Sequence, residues 1–211
     1  VLIKREVKML FTIKRFLLQN QSWFWTQLVA IVMGLMLIIN PANWKLLTPY
    51  SGYLAVAFLV TTLSLNPIKA LKPEWHFIKQ LNRYRRMLGV ASFSCAAVHL
   101  ICFIIKRGSL KSTLPYLIHP ALISVFWIAF PILFVLALTS NNYSVKYLGF
   151  KKWQKIHNMV YLAEAGIIIH MIMVDAAIWA VLIFAPLVSL QFTRYYLKKT
   201  KIKIQLYRKK T

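Results

Sequence analysis

Six largely apolar stretches alternate along this chain with short segments that hold nearly all of its charge. That alternation dictates the fold class. An α-helix needs about 20 apolar residues to cross the ~30 Å hydrocarbon layer of a bilayer. Stretches of that order fall at residues 23–39, 51–67, 87–105, 121–139, 157–174 and 176–192. The expected fold is all-α: an integral membrane bundle of about six transmembrane helices, one domain over residues 1–211, seated in the lipid bilayer. A soluble domain of this size would carry about 25% charged residues with both signs mixed. Here 15% are charged and only four residues are acidic.

A net charge of +23 also raises nucleic-acid binding. Membrane-length apolar runs do not belong in such a module, so the charge is a topology signal and no nucleic-acid partner is expected. Five basic residues (Lys4, Arg5, Lys8, Lys14, Arg15) precede the first stretch. Six (Lys69, Lys72, Lys79, Arg83, Arg85, Arg86) lie between the second and third, and four (Lys146, Lys151, Lys152, Lys155) between the fourth and fifth. Eight more follow from Arg194 onward. If the stretches alternate in direction, all of these share one side, leaving Lys45, Lys106, Arg107 and Lys111 on the other. The positive-inside rule then places both termini in the cytoplasm. The basic N-terminus runs into its apolar stretch without a small-residue cleavage site, so a retained span is expected rather than a signal peptide.

The six glycines form no dinucleotide- or phosphate-cradling loop, so flavin or nicotinamide chemistry would have to come from another protein. Cys95 and Cys102 are seven residues apart, about 10 Å on a helix, which is too far for a disulfide. They are expected to pack.

Three of five histidines, His99, His157 and His170, lie inside or at the edge of apolar stretches. An ionisable group at membrane depth either bonds to a neighbouring helix or serves a function. His99 lies about 20 Å along its helix from Arg86, and His170 about 20 Å beyond His157. Two helices running the same way thus present imidazoles at one level. Neutral imidazoles facing each other across a bundle can ligate haem iron from both sides, which suits electron transfer because no coordination position stays open. His157 is too far along the axis to share that iron. It either ligates a second, inner haem or caps a loop or cofactor edge. Thirteen residues also turn it ~140° away from His170, unless Gly166 marks an irregularity.

The string Arg85-Arg86-Met87-Leu88-Gly89, with His99 ten residues after the glycine, resembles the third span of the ferric-reductase-like transmembrane family. Lys152-Trp153-Gln154-Lys155-Ile156-His157-Asn158-Met159-Val160-Tyr161-Leu162, followed by His170, resembles its fifth. A looser likeness runs from about Ser51 to the sixth stretch. The compact form without a flavin domain is most similar to the family's branch that serves periplasmic methionine sulfoxide reductases. That resemblance implies haem b at His99, His157 and His170, a bacterial inner-membrane location, and one haem or two. It implies electrons arriving from a cytoplasmic flavin reductase or from quinol, with flavin mononucleotide (FMN) associated. It implies electrons leaving to a periplasmic molybdenum-cofactor reductase subunit. Larger, flavin-bearing members carry two histidines fourteen apart on the third span. Here Arg85 stands fourteen residues before His99, which leaves the second haem open.

Arg85 and Arg86 are candidates for pairing with haem propionates or a flavin phosphate, and equally for simple cytoplasmic anchoring. Trp153 suits an interfacial belt. His119, before Pro120, opens the fourth stretch as a plain interfacial residue, or else meets a haem propionate or a docking partner. Glu164 shares a face with His157 and either tunes a cofactor or bonds to another helix. His76 is assigned no chemistry. Two rival functions stay open: a standalone ferric or quinone-linked reductase of the same fold, and a transporter or structural membrane protein without haem.

Overall fold

The computed structural model describes residues 25–208, with side chains described through residue 200. The basic N-terminal residues and the start of the first apolar stretch at residue 23 lie outside the described residues. Every regular element among the described residues is helical. We label the six principal helices α1 (Trp25–Ile39), α2 (Trp44–Leu71), α3 (Arg85–Lys106), α4 (Pro120–Leu138), α5 (Phe150–Met173) and α6 (Ala177–Arg208). The last five are long and apolar enough to cross a membrane, and α1 is apolar but shorter as described.

Several boundaries depart from the hydropathy pattern for local reasons. Helix α2 begins seven residues before the expected 51, after a 3-10 turn (Pro41–Asn43) in which the Asn40 side chain accepts from the Ala42 amide at 3.0 Å. Pro49 and Pro67 both lie inside it. Pro49 falls in the second turn of this helix, where the Thr48 hydroxyl also donates to Trp44 O at 2.6 Å. Helix α5 starts at Phe150 rather than 157, because the amphipathic segment Phe150–His157 continues into the apolar one through a break at residues 158–159. Helix α6 runs past 192 into the basic tail, where lysine and arginine are good helix formers.

The stretches at 157–174 and 176–192 leave only residue 175 between them, which calls for a very tight turn or a tilted sixth span, and a tight turn is present. Asp175 has φ +61°, and Ala176 N–H reaches back to Met171 O at 2.9 Å, the bond of a left-handed C-terminal cap. One feature had no signal in the sequence: Ile123–Ala129, within α4, is a π-helix.

Helices α2 and α3 form the most extensive pair. Leu47, Cys95, Val98 and Cys102 pack there with Ala30, Met33 and Leu37 of α1. Both cysteines are free and wholly buried, as packing residues should be. A second core joins Leu59 and Leu63 of α2 to Ile132 and Leu136 of α4, Ala163 of α5, and Phe184 and Leu187 of α6. Large apolar side chains such as Ile38, Ile178, Val181 and Leu182 point outward, as hydrocarbon surroundings allow. The closely packed pairs among the described residues do not include α3 with α5; α4 packs against both.

Candidate functional site

His99 sits on α3 against the opening turns of α2. Its Nδ1 donates to Thr48 O at 2.8 Å. A carbonyl can only accept, so Nδ1 carries the proton and Nε2 keeps its lone pair. The ring fits there because position 52 is glycine: a Cβ at Gly52 would lie 3.1 Å from His99 Nδ1.

His170 repeats the arrangement on α5. Its Nδ1 donates to Ala121 O, in the first turn of α4, at 2.7 Å. Ala121 stands just before the π-helix, and π segments tend to occur at functional sites. Gly166 makes that junction approachable: a Cβ there would lie 2.6 Å from Ser124 O. His99 and His170 thus share a mode of bonding, each imidazole held by a carbonyl near the start of an adjacent helix.

His157 is held elsewhere. It ends the segment Phe150–His157, and its Nε2 lies 3.1 Å from Thr139 Oγ1. That hydroxyl donates to Val135 O at 2.7 Å, so it accepts from His157 Nε2–H. Trp153 stacks on the imidazole at 3.9 Å and donates its indole N–H to Thr139 O at 2.9 Å. The irregularity separating His157 from His170 falls at residues 158–159, and Gly166 serves helix approach instead.

Beside Trp153 a cavity of about 260 Å³ is lined by Asn82, Arg83, Arg85, Arg86 and Trp153. Arg86 donates to Asn142 Oδ1 at 2.7 Å and lies 5.1 Å over the Trp153 ring. Asn82 Oδ1 is buried there without a partner. Arg85 and Arg86 thus share a cationic pocket that no acidic side chain lines.

His119 accepts from the Ala121 amide at 3.3 Å, which makes it the cap of α4. Glu164, 3% exposed, accepts from Gln191 Nε2 at 3.1 and 3.0 Å, a bond to a neighbouring helix. His76 opens the short helix His76–Leu81. No group of three or more His, Cys, Asp or Glu converges among the described residues. A haem held by two imidazoles needs only two protein ligands. Sequence reasoning missed Thr48, Gly52 and Ala121, and weighed Gly166 as a helix irregularity rather than as a close approach to α4. The glycines, inside otherwise apolar helices, were the available signal.

A family model described as "Ferric reductase like transmembrane component" matches residues 51–168. The chain belongs to the ferric-reductase-like transmembrane family. The match covers His99 and His157 and ends two residues before His170. Curated relatives match the chain as well. The chain is 32% identical over 158 residues to the protein-methionine-sulfoxide reductase heme-binding subunit MsrQ of Brucella ovis, and equally to those of Brucella suis and Brucella abortus. These alignments cover 71% of this chain and 69% of each relative. No solved structure matches. As a ferric-reductase-like protein with MsrQ-like homology, the chain is a multi-pass membrane protein.

Proposed function

We propose that this chain is a haem b electron-transfer subunit of a bacterial inner membrane, carrying electrons from a cytoplasmic flavin reductase or from quinol to a periplasmic methionine sulfoxide reductase with a molybdenum cofactor. The observation that carries this reading is the matched pair of Nδ1–H to carbonyl bonds at His99 and His170. Each fixes a tautomer with Nε2 free, the form in which a histidine binds iron, and such an outer bond also orients the ring. The two histidines stand on helices α3 and α5, which are not among the closely packed pairs of the described residues. The glycine at position 52 lets His99 lie flat against a neighbouring backbone. These features fit a haem.

When bound, such a haem supplies a one-electron carrier within the hydrocarbon. The chain's residues would hold and orient it: His99 and His170 would ligate the iron, with Thr48 and Ala121 as their anchors. At the inner face His157 is either the ligand of a second haem or a support for a cofactor edge. Arg85 and Arg86 would meet a propionate or the phosphate of FMN in the cavity beside Trp153. Both termini are cytoplasmic in this reading. The relatives' printed function favours the sulfoxide-reductase partner over a standalone ferric or quinone-linked reductase.

The test is a reduced-minus-oxidised visible spectrum of purified protein with haem counted per chain, for wild type, His99→Ala and His170→Ala. A low-spin b-type signal lost in both variants supports the pairing. Folded, haem-supplied protein without haem would overturn it and leave a non-haem transporter or structural bundle.

A further inference from the structure

Residues 72–86, from the end of α2 to the first turn of α3, carry Lys72, Lys79, Arg83, Arg85 and Arg86 against one acid, Glu74. Arg83, Arg85 and Arg86 line the cavity of about 260 Å³ together with Asn82 and with Trp153 of α5. Glu74 is exposed and is not among the lining residues. The partners that hold Arg86 are neutral: it donates to Asn142 Oδ1 at 2.7 Å and lies 5.1 Å over the Trp153 ring. Cytoplasmic anchoring requires basic residues at the interface, but it does not require three of them around one cavity.

Like charges gathered in one place repel, and an anion seated among them relieves that repulsion. The planar fork of arginine suits phosphate oxygens in particular. Size narrows the choice. Pockets that enclose a whole drug-sized ligand run to ~300–1,000 Å³, so this one suits a headgroup better than a complete flavin nucleotide. Its setting narrows the choice further. Trp75, Phe77 and Tyr84 are exposed on the α2–α3 connection, as are Tyr143, Tyr147 and Phe150 on the α4–α5 side. Exposed aromatic rings collect at the headgroup level of a bilayer. Basic pockets between membrane helices at that level, on the cytoplasmic side, bind acidic lipid headgroups.

We propose that the cavity lined by Arg83, Arg85, Arg86 and Trp153 holds the phosphate of an anionic phospholipid of the inner leaflet, such as phosphatidylglycerol. The site rests on the membrane placement of the proposed function and not on its haem. It narrows the pocket's anion from a propionate or a phosphate to a phosphate, and gives that phosphate a lipid source. The lipid acts as a tie between two connections. Arg86 links the α2–α3 segment to Asn142 and Trp153, and Trp153 in turn stacks on His157 at 3.9 Å.

The experiment places the purified full-length chain in nanodiscs of mixed phosphatidylcholine and phosphatidylglycerol, and counts the retained lipids of each kind by native mass spectrometry. Wild type should favour phosphatidylglycerol by about tenfold or more, the effect expected of one hydrogen bond between charged groups. Arg83→Gln and Arg86→Gln should each lose most of that preference. Arg86→Lys should fall between, as a point charge without the planar fork. Lys151→Gln, which removes an exposed cation outside the cavity, should keep it. Wild type without a preference overturns the proposal, whether or not the variants fold. An equal loss in Lys151→Gln also overturns it, since diffuse surface charge would then explain the binding. So does displacement of the lipid by added FMN, which would give the pocket to a flavin phosphate. Haem-free protein that keeps the preference would overturn the electron-transfer reading and leave this site standing.

Discussion

His99 lies against the bare backbone of Gly52, with a distance of only 3.1 Å from its Nδ1 and 3.2 Å from its Cε1 to where a Cβ at position 52 would stand. A methyl there must push the ring by a few tenths of an ångström and tilt the bond to Thr48 O. Gly52→Ala should therefore retain haem while altering the low-spin electron paramagnetic resonance signal, which responds to imidazole orientation. Gly52→Val should lose haem. Unchanged spectra in both would show that the ring is not constrained from this side.

The contact of Gly166 with Ser124 is closer still and involves rigid backbone. Gly166→Ala would place a Cβ 2.6 Å from a carbonyl oxygen of the π-helix, so α4 and α5 must separate. Overpacking of this kind costs about 1–3 kcal/mol. The expected result is a lower midpoint for thermal unfolding in detergent. Haem loss should accompany it, because His170 and Ala121 bridge the same two helices.

Glu164 and Gln191 form a polar pair between α5 and α6. Interhelical polar pairs in membranes average about 0.6 kcal/mol and reach ~1.7. A double-mutant cycle of Glu164→Leu and Gln191→Leu, read by unfolding in detergent, should give coupling in that range. Haem content should be unaffected. Loss of haem in Glu164→Leu alone would instead tie this carboxyl to the cofactor.

His157 bonds to Thr139 and stacks on Trp153, away from His99 and His170. His157→Ala should keep the low-spin signal of the outer pair. Haem per chain then decides its role. A fall from near two to near one identifies an inner ligand, whereas an unchanged count leaves His157 a structural anchor for the Trp153 pocket.

Orientation is testable without purification. With both termini cytoplasmic, a green fluorescent protein fused after residue 211 should fluoresce and alkaline phosphatase fused there should be inactive. The reverse result would invert the assignment made from the basic segments.

Much of the architecture was legible because hydrocarbon imposes simple rules. Apolar length marked the spans, and the acid-poor composition pointed to lipid surroundings. The Asp175 turn was readable because two spans left no room for anything longer. Boundaries failed where proline and an amphipathic segment were carried inside helices, since tertiary packing overrides local propensity.

Counting residues at 1.5 Å each was enough for the sequence by itself to set the expectation that His99 and His170 share a depth and His157 does not. Which nitrogen each imidazole presents was not determined that way. It depends on Thr48 O and Ala121 O, carbonyls 51 and 49 residues distant along the chain. Every residue has a carbonyl, so composition and spacing give no sign of which one will accept a side-chain bond. Only the packing of α2 on α3 and of α4 on α5, through two glycines and a π-helical turn, selects them.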